Sequence, residues 1–178
     1  MTLGGIPRKS QPVDYLEPKP EDECGVFGLW APGEDVAKLT YFGLYALQHR
    51  GQEAAGIAAS DGEKIMVYKD LGLVSQVFDE TSLSALRGHI AVGHVRYSTT
   101  GSTTWENAQP MLGPVAEHTV ALAHNGNLTN TRELMEYVRE ASGQDISGEL
   151  GRGSTTDTAV MAALLSLTAK QYPELDLE

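Results

Sequence analysis

The chain has 178 residues, a formal net charge of −11 and 41% hydrophobic residues. Such an acidic chain is a poor partner for nucleic acid or for an anionic membrane, so we expect it to bind neither. Its single cysteine, Cys24, excludes an internal disulfide framework and a cysteine-rich metal cluster within these residues. No apolar stretch reaches the roughly 20 residues of a membrane span, and residues 1–23 lack a signal-peptide core. These features favour a cytoplasmic protein.

Residues 1–23 differ in composition from the rest of the chain. They hold four of the eight prolines and end in Glu21, Asp22 and Glu23, directly before Cys24. Proline removes backbone donors and restricts φ, so such a segment does not readily form helix or sheet. Two interpretations stay open at this point. The segment is either a disordered N-terminal tail or a removable leader that ends at Glu23.

The remainder of the chain predicts a mixture of strands and helices. In chain order, apolar periodicity and turn residues first predict a strand at 24–30, a helix at 35–49 with Asp35 as N-cap, a hairpin of 54–60 and 64–70, and a short helix within 71–88. They then predict strands at 89–99 and 118–126, separated by a loop at 106–114, and helices at 129–141 and 156–170. This order indicates sheets covered by helices rather than a simple parallel α/β sheet.

Two motifs at predicted strand ends carry groups that bind anions. Arg96 lies near the end of strand 89–99, and its planar guanidinium can hold both oxygens of a carboxylate. In "HNGN", which starts at residue 124, the Asn125 side chain and the Gly126 backbone N–H offer the two donors of an oxyanion hole. Each motif also has a structural interpretation. Arg96 could form an ordinary salt bridge, and Asn125-Gly126 could be a simple turn.

The five histidines show no spacing typical of a metal site, and we expect none. His94 shares a strand face with Arg96, and His124 begins HNGN. We therefore interpret both histidines as core groups or as supports of the neighbouring motifs. The sequence contains no Ser/His/Asp nucleophile motif and no Walker-type phosphate loop.

Five motifs in a fixed order resemble the class II glutamine amidotransferases. They are CGVFG from residue 24, LQHRGQEAAGIA from residue 47, GHVRYSTTG from residue 93, HNGNLTN from residue 124 and STTDT from residue 154. Within this family, QHRGQE and HVRYSTTG resemble the amidophosphoribosyltransferases of purine synthesis, whereas the aminosugar-synthase relatives read YRGYDSAG and HTRWATHG. The resemblance runs from Cys24 to about residue 168. It implies an α+β fold, the four-layer αββα sandwich of the N-terminal-nucleophile hydrolases.

The resemblance also implies how Cys24 acts. It would be the nucleophile and the first residue of the mature enzyme, freed by cleavage after Glu23, with Asn125 and the Gly126 backbone N–H as the oxyanion hole. A free α-amine has a pKa of about 7.7–8.0, so it can take up the thiol proton, directly or through a water. The amide nitrogen of an uncleaved chain is not basic. We therefore expect the mature chain to begin at Cys24 and a chain that keeps residues 1–23 to be inactive.

Further residues take roles by the same resemblance. Arg96 would bind the α-carboxylate of glutamine, and Asp157 would bind its α-amine. Arg50 would lie near the nucleophile, and Tyr97 and Thr99 would line the pocket. These residues come from four separate motifs, so their roles require the fold to gather them at one place.

The resemblance has consequences for domains, cofactors and partners. Residues 24–178 would be the glutaminase domain of a longer enzyme, because no phosphoribosyltransferase motif follows, and this part alone should only hydrolyse glutamine. No cofactor is expected in this chain. Mg²⁺ and, in propeptide-bearing relatives, a 4Fe–4S cluster belong to the full-length enzyme, which is expected to be a homotetramer. Two rivals stay open: an N-terminal-nucleophile hydrolase of another amide, and a catalytically silent module whose Cys24 stays capped.

Overall fold

The structure is a computed structural model that describes residues 24–97, 103–143, 150 and 153–173. The predicted leader and Thr99 lie outside the described residues, so the predictions made for them stay predictions.

The described residues form six strands, five α-helices and two short 3₁₀ helices. The strands are β1 (Gly25–Trp30), β2 (Ala54–Ser60), β3 (Ile65–Leu71), β4 (Ile90–Arg96), β5 (Met111–Val115) and β6 (His118–Leu122). The α-helices are α1 (Val36–Ala46), α2 (Val74–Val77), α3 (Glu80–Ala85), α4 (Thr131–Ser142) and α5 (Asp157–Gln171), and the 3₁₀ helices span Gln48–Arg50 and Trp105–Asn107. None of the helices described is long and apolar enough to cross a membrane.

The first sheet is antiparallel, with the strand order β1-β4-β2-β3. One of its two central strands, β4, has two different faces because successive side chains alternate. Ala91 and Val95 belong to the larger core cluster together with Val36 and Leu44 of α1. His94, on the opposite face, is also completely buried. Helices α1 to α3 cover the first face of this sheet, and the second face is left for another layer.

That other layer is the antiparallel pair of β5 and β6. Helix α5 packs on β5, and α4 packs on α5, with Val138, Val160 and Leu167 in a second core cluster. Val92 of the first sheet and Val120 of the second line a common cavity of about 650 Å³. The layers therefore run helix, sheet, sheet, helix. The expected α+β fold, a four-layer αββα sandwich, is confirmed.

Several predicted elements are confirmed with shorter bounds. Asp35 is the N-cap of α1, and its carboxylate accepts a hydrogen bond from the Lys38 backbone N–H at 3.1 Å. The α-helix predicted to reach residue 49 ends at Ala46. The backbone then tightens into the 3₁₀ turn Gln48–Arg50 before Gly51, which has an extended conformation.

The prediction of a loop at 106–114 is wrong, because β5 begins at Met111. Gly113 and Pro114 have low strand propensity, so the sequence pattern did not indicate this strand. Proline is tolerated where a strand has an open edge, and within the described residues β5 pairs only with β6. Gly113 suits the packing, since a Cβ there would lie 3.1 Å from the Cβ of Ala162 on α5. Tertiary packing thus makes a strand of a segment with weak strand propensity.

The segment before β5, residues 105–110, is anchored to the first sheet. The Trp105 indole N–H donates to the Lys69 carbonyl at 2.9 Å, and the Lys69 ammonium donates to the Pro110 carbonyl at 3.3 Å. Gly56 of β2 lies directly beneath the Gln109 carbonyl. Any side chain at position 56 would have to occupy the space that this backbone uses.

We expect Gly56→Ala to lower the free energy of unfolding by about 3 kcal/mol or more, because its Cβ would clash with the Gln109 carbonyl and lie 2.7 Å from the Lys69 Cβ. Gly28→Ala is the matched control, since the nearest atom to its Cβ would be the Ala91 carbonyl oxygen at 3.7 Å. Urea unfolding of the two variants checks this difference. Equal unfolding midpoints would contradict the close approach at Gly56.

Candidate active site

A cavity of about 280 Å³ lies where the ends of several elements meet. Gly25, the first residue of β1, pairs with Val95 of β4. This register brings Cys24, just before β1, beside Arg96 and Tyr97 at the end of β4. All three line the cavity, and the opposite wall comes from the loop after β6 and from the start of α5. The antiparallel pairing of β1 with β4 thus places the thiol at the cavity.

The Cys24 side chain is held by the backbone of Tyr97. Its Sγ lies 3.3 Å from the Tyr97 N–H, which donates to it, and 3.3 Å from the Tyr97 carbonyl, to which the thiol donates. Cys24 is partly exposed. The sulfur is therefore oriented by two main-chain groups and remains accessible from the cavity.

The Cys24 backbone carbonyl is held as well. It accepts a hydrogen bond from the Asn125 side-chain amide at 2.7 Å and another from the Arg50 guanidinium Nε at 3.2 Å. A carbonyl oxygen has two lone pairs, so both donors can be satisfied at once. The Asn125 NH₂ group has a second N–H for another acceptor. Two residues predicted from separate motifs therefore converge on the same peptide group.

Arg96 is almost completely buried, with 3% of its surface exposed. Its Nη1 lies 3.8 Å from a carboxylate oxygen of Glu53, and that oxygen also accepts a hydrogen bond from the Thr103 hydroxyl at 3.0 Å. A buried cation needs such a partner to offset the loss of hydration. Sequence analysis missed Glu53, although it ends the QHRGQE motif.

Asp157 is the first residue of α5, where a negative charge interacts favourably with the helix dipole. One carboxylate oxygen accepts from the Thr158 N–H at 2.9 Å, and the other accepts from the Leu128 N–H at 3.1 Å. The second oxygen also lies 3.4 Å from Nδ1 of His124. Asp157 thus joins the start of α5 to the loop that contains HNGN.

The structure brings together every predicted site residue that it describes. Five line the cavity: Cys24, Arg96, Tyr97, Gly126 and Asp157. Arg50 and Asn125 contact the Cys24 carbonyl. The cavity also has lining residues that sequence analysis did not assign to the site, namely Gln109, His124, Asn127, Leu128, Thr131, Thr155 and Thr156. The motif positions of Thr155 and Thr156 could have suggested them, whereas Gln109 lay in a predicted loop.

His94 is buried and neutral. Its Nε2 lies 3.2 Å from the His124 carbonyl, which can only accept, so Nε2 carries the proton. Nδ1 has no hydrogen-bond partner among the described residues. Burial lowers the pKa of His94 to about 4, and the nearby charge of Arg96 acts in the same direction. The interpretation of His94 as a core group is confirmed. His124, in contrast, lines the cavity itself.

Comparison with known proteins relates this site to one family. Residues 33–148 match the family model described as glutamine amidotransferases class-II. The amidophosphoribosyltransferase of Mycobacterium tuberculosis is 62% identical over 157 residues, which cover 88% of this chain and 29% of that protein. The amidophosphoribosyltransferase of Bacillus subtilis is 45% identical over 145 residues, which cover 81% of this chain and 29% of that protein. The chain therefore spans less than a third of the length of these relatives.

Solved structures give the same result for the fold. The glutamine phosphoribosylpyrophosphate amidotransferase of B. subtilis, complexed with ADP and GMP, is 42% identical with a TM-score of 0.63 and covers 78% of this chain and 28% of that chain. A structure of the allosteric regulatory enzyme of purine biosynthesis is 44% identical with a TM-score of 0.67, at the same coverage of both chains.

The buried His94 should make folding stability depend on pH. The unfolded chain takes up a proton at His94 below about pH 6.5, whereas the folded chain resists protonation until about pH 4. Lowering the pH between these values therefore favours the unfolded state, by up to about 3 kcal/mol. Above pH 6.5 this group contributes no pH dependence. We expect the free energy of unfolding, measured in urea, to fall more steeply over this pH range for the wild type than for His94→Gln, whose side chain does not titrate. Parallel curves would contradict this.

Proposed function

Because this chain belongs to the class-II glutamine amidotransferases, we propose that it is the glutamine-hydrolysing part of an amidophosphoribosyltransferase. One observation carries the proposal. The Cys24 thiol opens onto a cavity that also contains the buried cation of Arg96 and the carboxylate of Asp157. A thiol between a positive and a negative group suits an amino-acid substrate with a reactive amide.

The proposed reaction takes place at the Cys24 sulfur. The sulfur attacks the side-chain amide carbon of glutamine, a C–S bond forms and negative charge develops on the amide oxygen. The free N–H of Asn125 and the backbone N–H of Gly126 stabilise this charge. Collapse of the intermediate breaks the C–N bond and releases ammonia. Water then hydrolyses the thioester to glutamate and restores the thiol.

Proton transfer in this reaction needs a base beside the thiol. After cleavage of the Glu23–Cys24 bond, the α-amine of Cys24 can take the thiol proton and deliver it to the leaving ammonia. Before cleavage the same nitrogen is part of a peptide bond and is not basic. Arg50 and Asn125 hold the adjacent carbonyl, so they would keep the new amine in place.

The remaining residues would bind the amino-acid end of glutamine. The Arg96 guanidinium can hold the α-carboxylate, and Asp157 can pair with the α-ammonium. Tyr97 orients the thiol through its backbone and lines the cavity, and Thr99 is proposed to line the same pocket. An amide substrate without an α-amino acid end could use neither charge, which disfavours a hydrolase of another amide.

The wider activity is proposed for a longer protein, since the chain spans less than a third of its relatives. There, ammonia released at Cys24 would convert phosphoribosylpyrophosphate to 5-phosphoribosylamine in a phosphoribosyltransferase domain, at the first step of purine synthesis. We also propose a homotetramer, and a location in the cytoplasm, where the environment keeps thiols reduced.

Mg²⁺ and a 4Fe–4S cluster would belong to other parts of such a protein. A 4Fe–4S cluster takes four thiolates, whereas the chain has one cysteine, and Cys24 lines the cavity. The residues described do not place three or more His, Cys, Asp or Glu side chains where they could hold a metal ion. The single thiolate of this chain therefore does not fit a 4Fe–4S cluster.

The function is tested with the chain matured to begin at Cys24. It should hydrolyse glutamine but release no pyrophosphate from phosphoribosylpyrophosphate. The Cys24→Ala variant should have no glutaminase activity. Asn125→Ala should lower kcat by roughly 10²–10³-fold, because one oxyanion donor is removed. A coupled glutamate assay and a pyrophosphate assay measure the two activities. Glutaminase activity that survives in Cys24→Ala, or in a chain that retains residues 1–23, would overturn the proposal.

Arg96→Lys tests the carboxylate clamp. The lysine keeps the positive charge but loses the planar pair of N–H donors, so we expect the glutamine KM to rise about tenfold, equivalent to ~1.4 kcal/mol. Arg87→Lys, at an exposed position remote from the cavity lining, is the matched control and should leave KM unchanged. An unchanged KM in Arg96→Lys would show that Arg96 only stabilises the fold.

A further inference from the structure

Two buried amide side chains reach from one loop to the two segments that form the wall of the cavity opposite Cys24. They are Asn107 and Gln109, in the segment between β4 and β5. We propose that they are positioning residues with separate tasks: Gln109 holds the turn that carries Asn125 and Gly126, and Asn107 holds the segment that leads into Asp157. This inference rests on the proposed glutaminase function and assigns it two residues outside the motifs.

The loop can act as a support because it is fixed to the first sheet. Lys69 of β3 contacts both ends of it, accepting from the Trp105 indole N–H through its carbonyl and donating to the Pro110 carbonyl through its ammonium. The same ammonium lies 5.1 Å from the centre of the Trp105 ring, a cation–π distance. The loop also packs closely on Gly56 of β2. Side chains that project from it therefore start from a fixed backbone.

Gln109 acts on the first segment, the turn that carries the proposed oxyanion donors. Its side-chain oxygen accepts a hydrogen bond from the His124 backbone N–H at 2.8 Å, and the His124 carbonyl accepts from His94 at 3.2 Å. Both main-chain groups of His124 are thus held by buried side chains, directly before Asn125 and Gly126. β6 ends at Leu122, which pairs with Met111, the first residue of β5, and beyond this point the His124 backbone bonds to side chains instead of to a strand. These contacts set the direction in which the turn leaves the strand.

Asn107 acts on the second segment, the residues that lead into α5. Its side-chain oxygen accepts from the Ser154 hydroxyl and from the Thr155 N–H, both at 3.1 Å, and its amide donates to the Thr155 hydroxyl at 3.4 Å. Asn107 and Ser154 are both buried. Thr155 lines the cavity and lies two residues before Asp157. Asn107 thus fixes the backbone that enters α5 and, with it, the carboxylate at the start of that helix.

The two segments serve different stages of the proposed reaction. Oxyanion donors act when charge develops on the substrate oxygen, so their misplacement lowers kcat. A misplaced Asp157 weakens binding of the α-ammonium in the ground state as well, so it raises KM. A residue needed only for folding would change neither parameter selectively. The proposed roles therefore predict that substitution of Gln109 changes mainly kcat, whereas substitution of Asn107 changes mainly KM.

The experiment compares apolar and conservative substitutions in the full-length protein, matured to begin at Cys24. Gln109→Met should lower the glutaminase kcat by about tenfold to a hundredfold with little change in KM, since a displacement of about 1 Å can cost such a factor. Asn107→Leu should raise the glutamine KM about tenfold with little change in kcat. Gln109→Glu and Asn107→Asp keep the acceptor oxygens and should recover most of each loss.

A second measurement separates positioning from general damage. Alkylation of Cys24 by iodoacetamide forms no oxyanion, so its rate should be unchanged in Gln109→Met. If Gln109→Met does not fold, Gln109→Asn withdraws the acceptor by one methylene and should show the same loss of kcat. The proposal would be overturned if both apolar variants showed a lower kcat together with a higher KM, or if the conservative variants showed no recovery. The loop would then be a purely structural element.

Asn125→Ala, measured in parallel, distinguishes the two levels of the argument. If it leaves kcat unchanged, the proposed oxyanion hole is wrong, and the role of Gln109 is overturned with it. If Asn125→Ala lowers kcat and Gln109→Met does not, the proposed function stands and the positioning role is overturned.

Discussion

The pairing of β4 with β1 on one side and β2 on the other is the constraint on which the site depends. This register sets Cys24 beside the end of β4, so that Tyr97 can hold the sulfur with two main-chain groups. The same strand buries His94 and Arg96 on the face opposite the helices. One central strand therefore supplies the orientation of the thiol, a support for the oxyanion turn and the positive charge of the cavity.

Burial determines which charges the site can keep. The buried guanidinium of Arg96 has a carboxylate oxygen of Glu53 3.8 Å away as its counter-charge, whereas His94, close to Arg96, stays neutral because burial lowers the pKa of its ring to about 4. A neutral His94 can donate from Nε2 without adding a second buried positive charge. Arg96 thus provides positive charge in the lining of the cavity, and Asp157 provides negative charge.

The site lies between layers rather than within one. The first sheet carries the thiol and Arg96, the second sheet carries the HNGN loop, and helix α5, which packs on the second sheet, carries Asp157. Hydrogen bonds from Asn125 to the Cys24 carbonyl, and from His94 to the His124 carbonyl, cross this boundary. The loop at Asn107 and Gln109 crosses it again. Relative movement of the two layers would therefore change the oxyanion turn and the substrate clamp together.

Features that depend on residues close together in the chain could be predicted from the sequence. The Asp35 cap, the hairpin of β2 and β3 and the helix that begins at Asp157 follow from local patterns. The predicted site residues around Cys24 follow from the motifs of the family resemblance. Tertiary structure alone decided that 111–115 is a strand and that Gln109 and Asn107 reach partners 15 and 48 residues away. The physical reason is that a strand with weak propensity and a buried amide are both stabilised by contacts with distant residues, which no local pattern encodes.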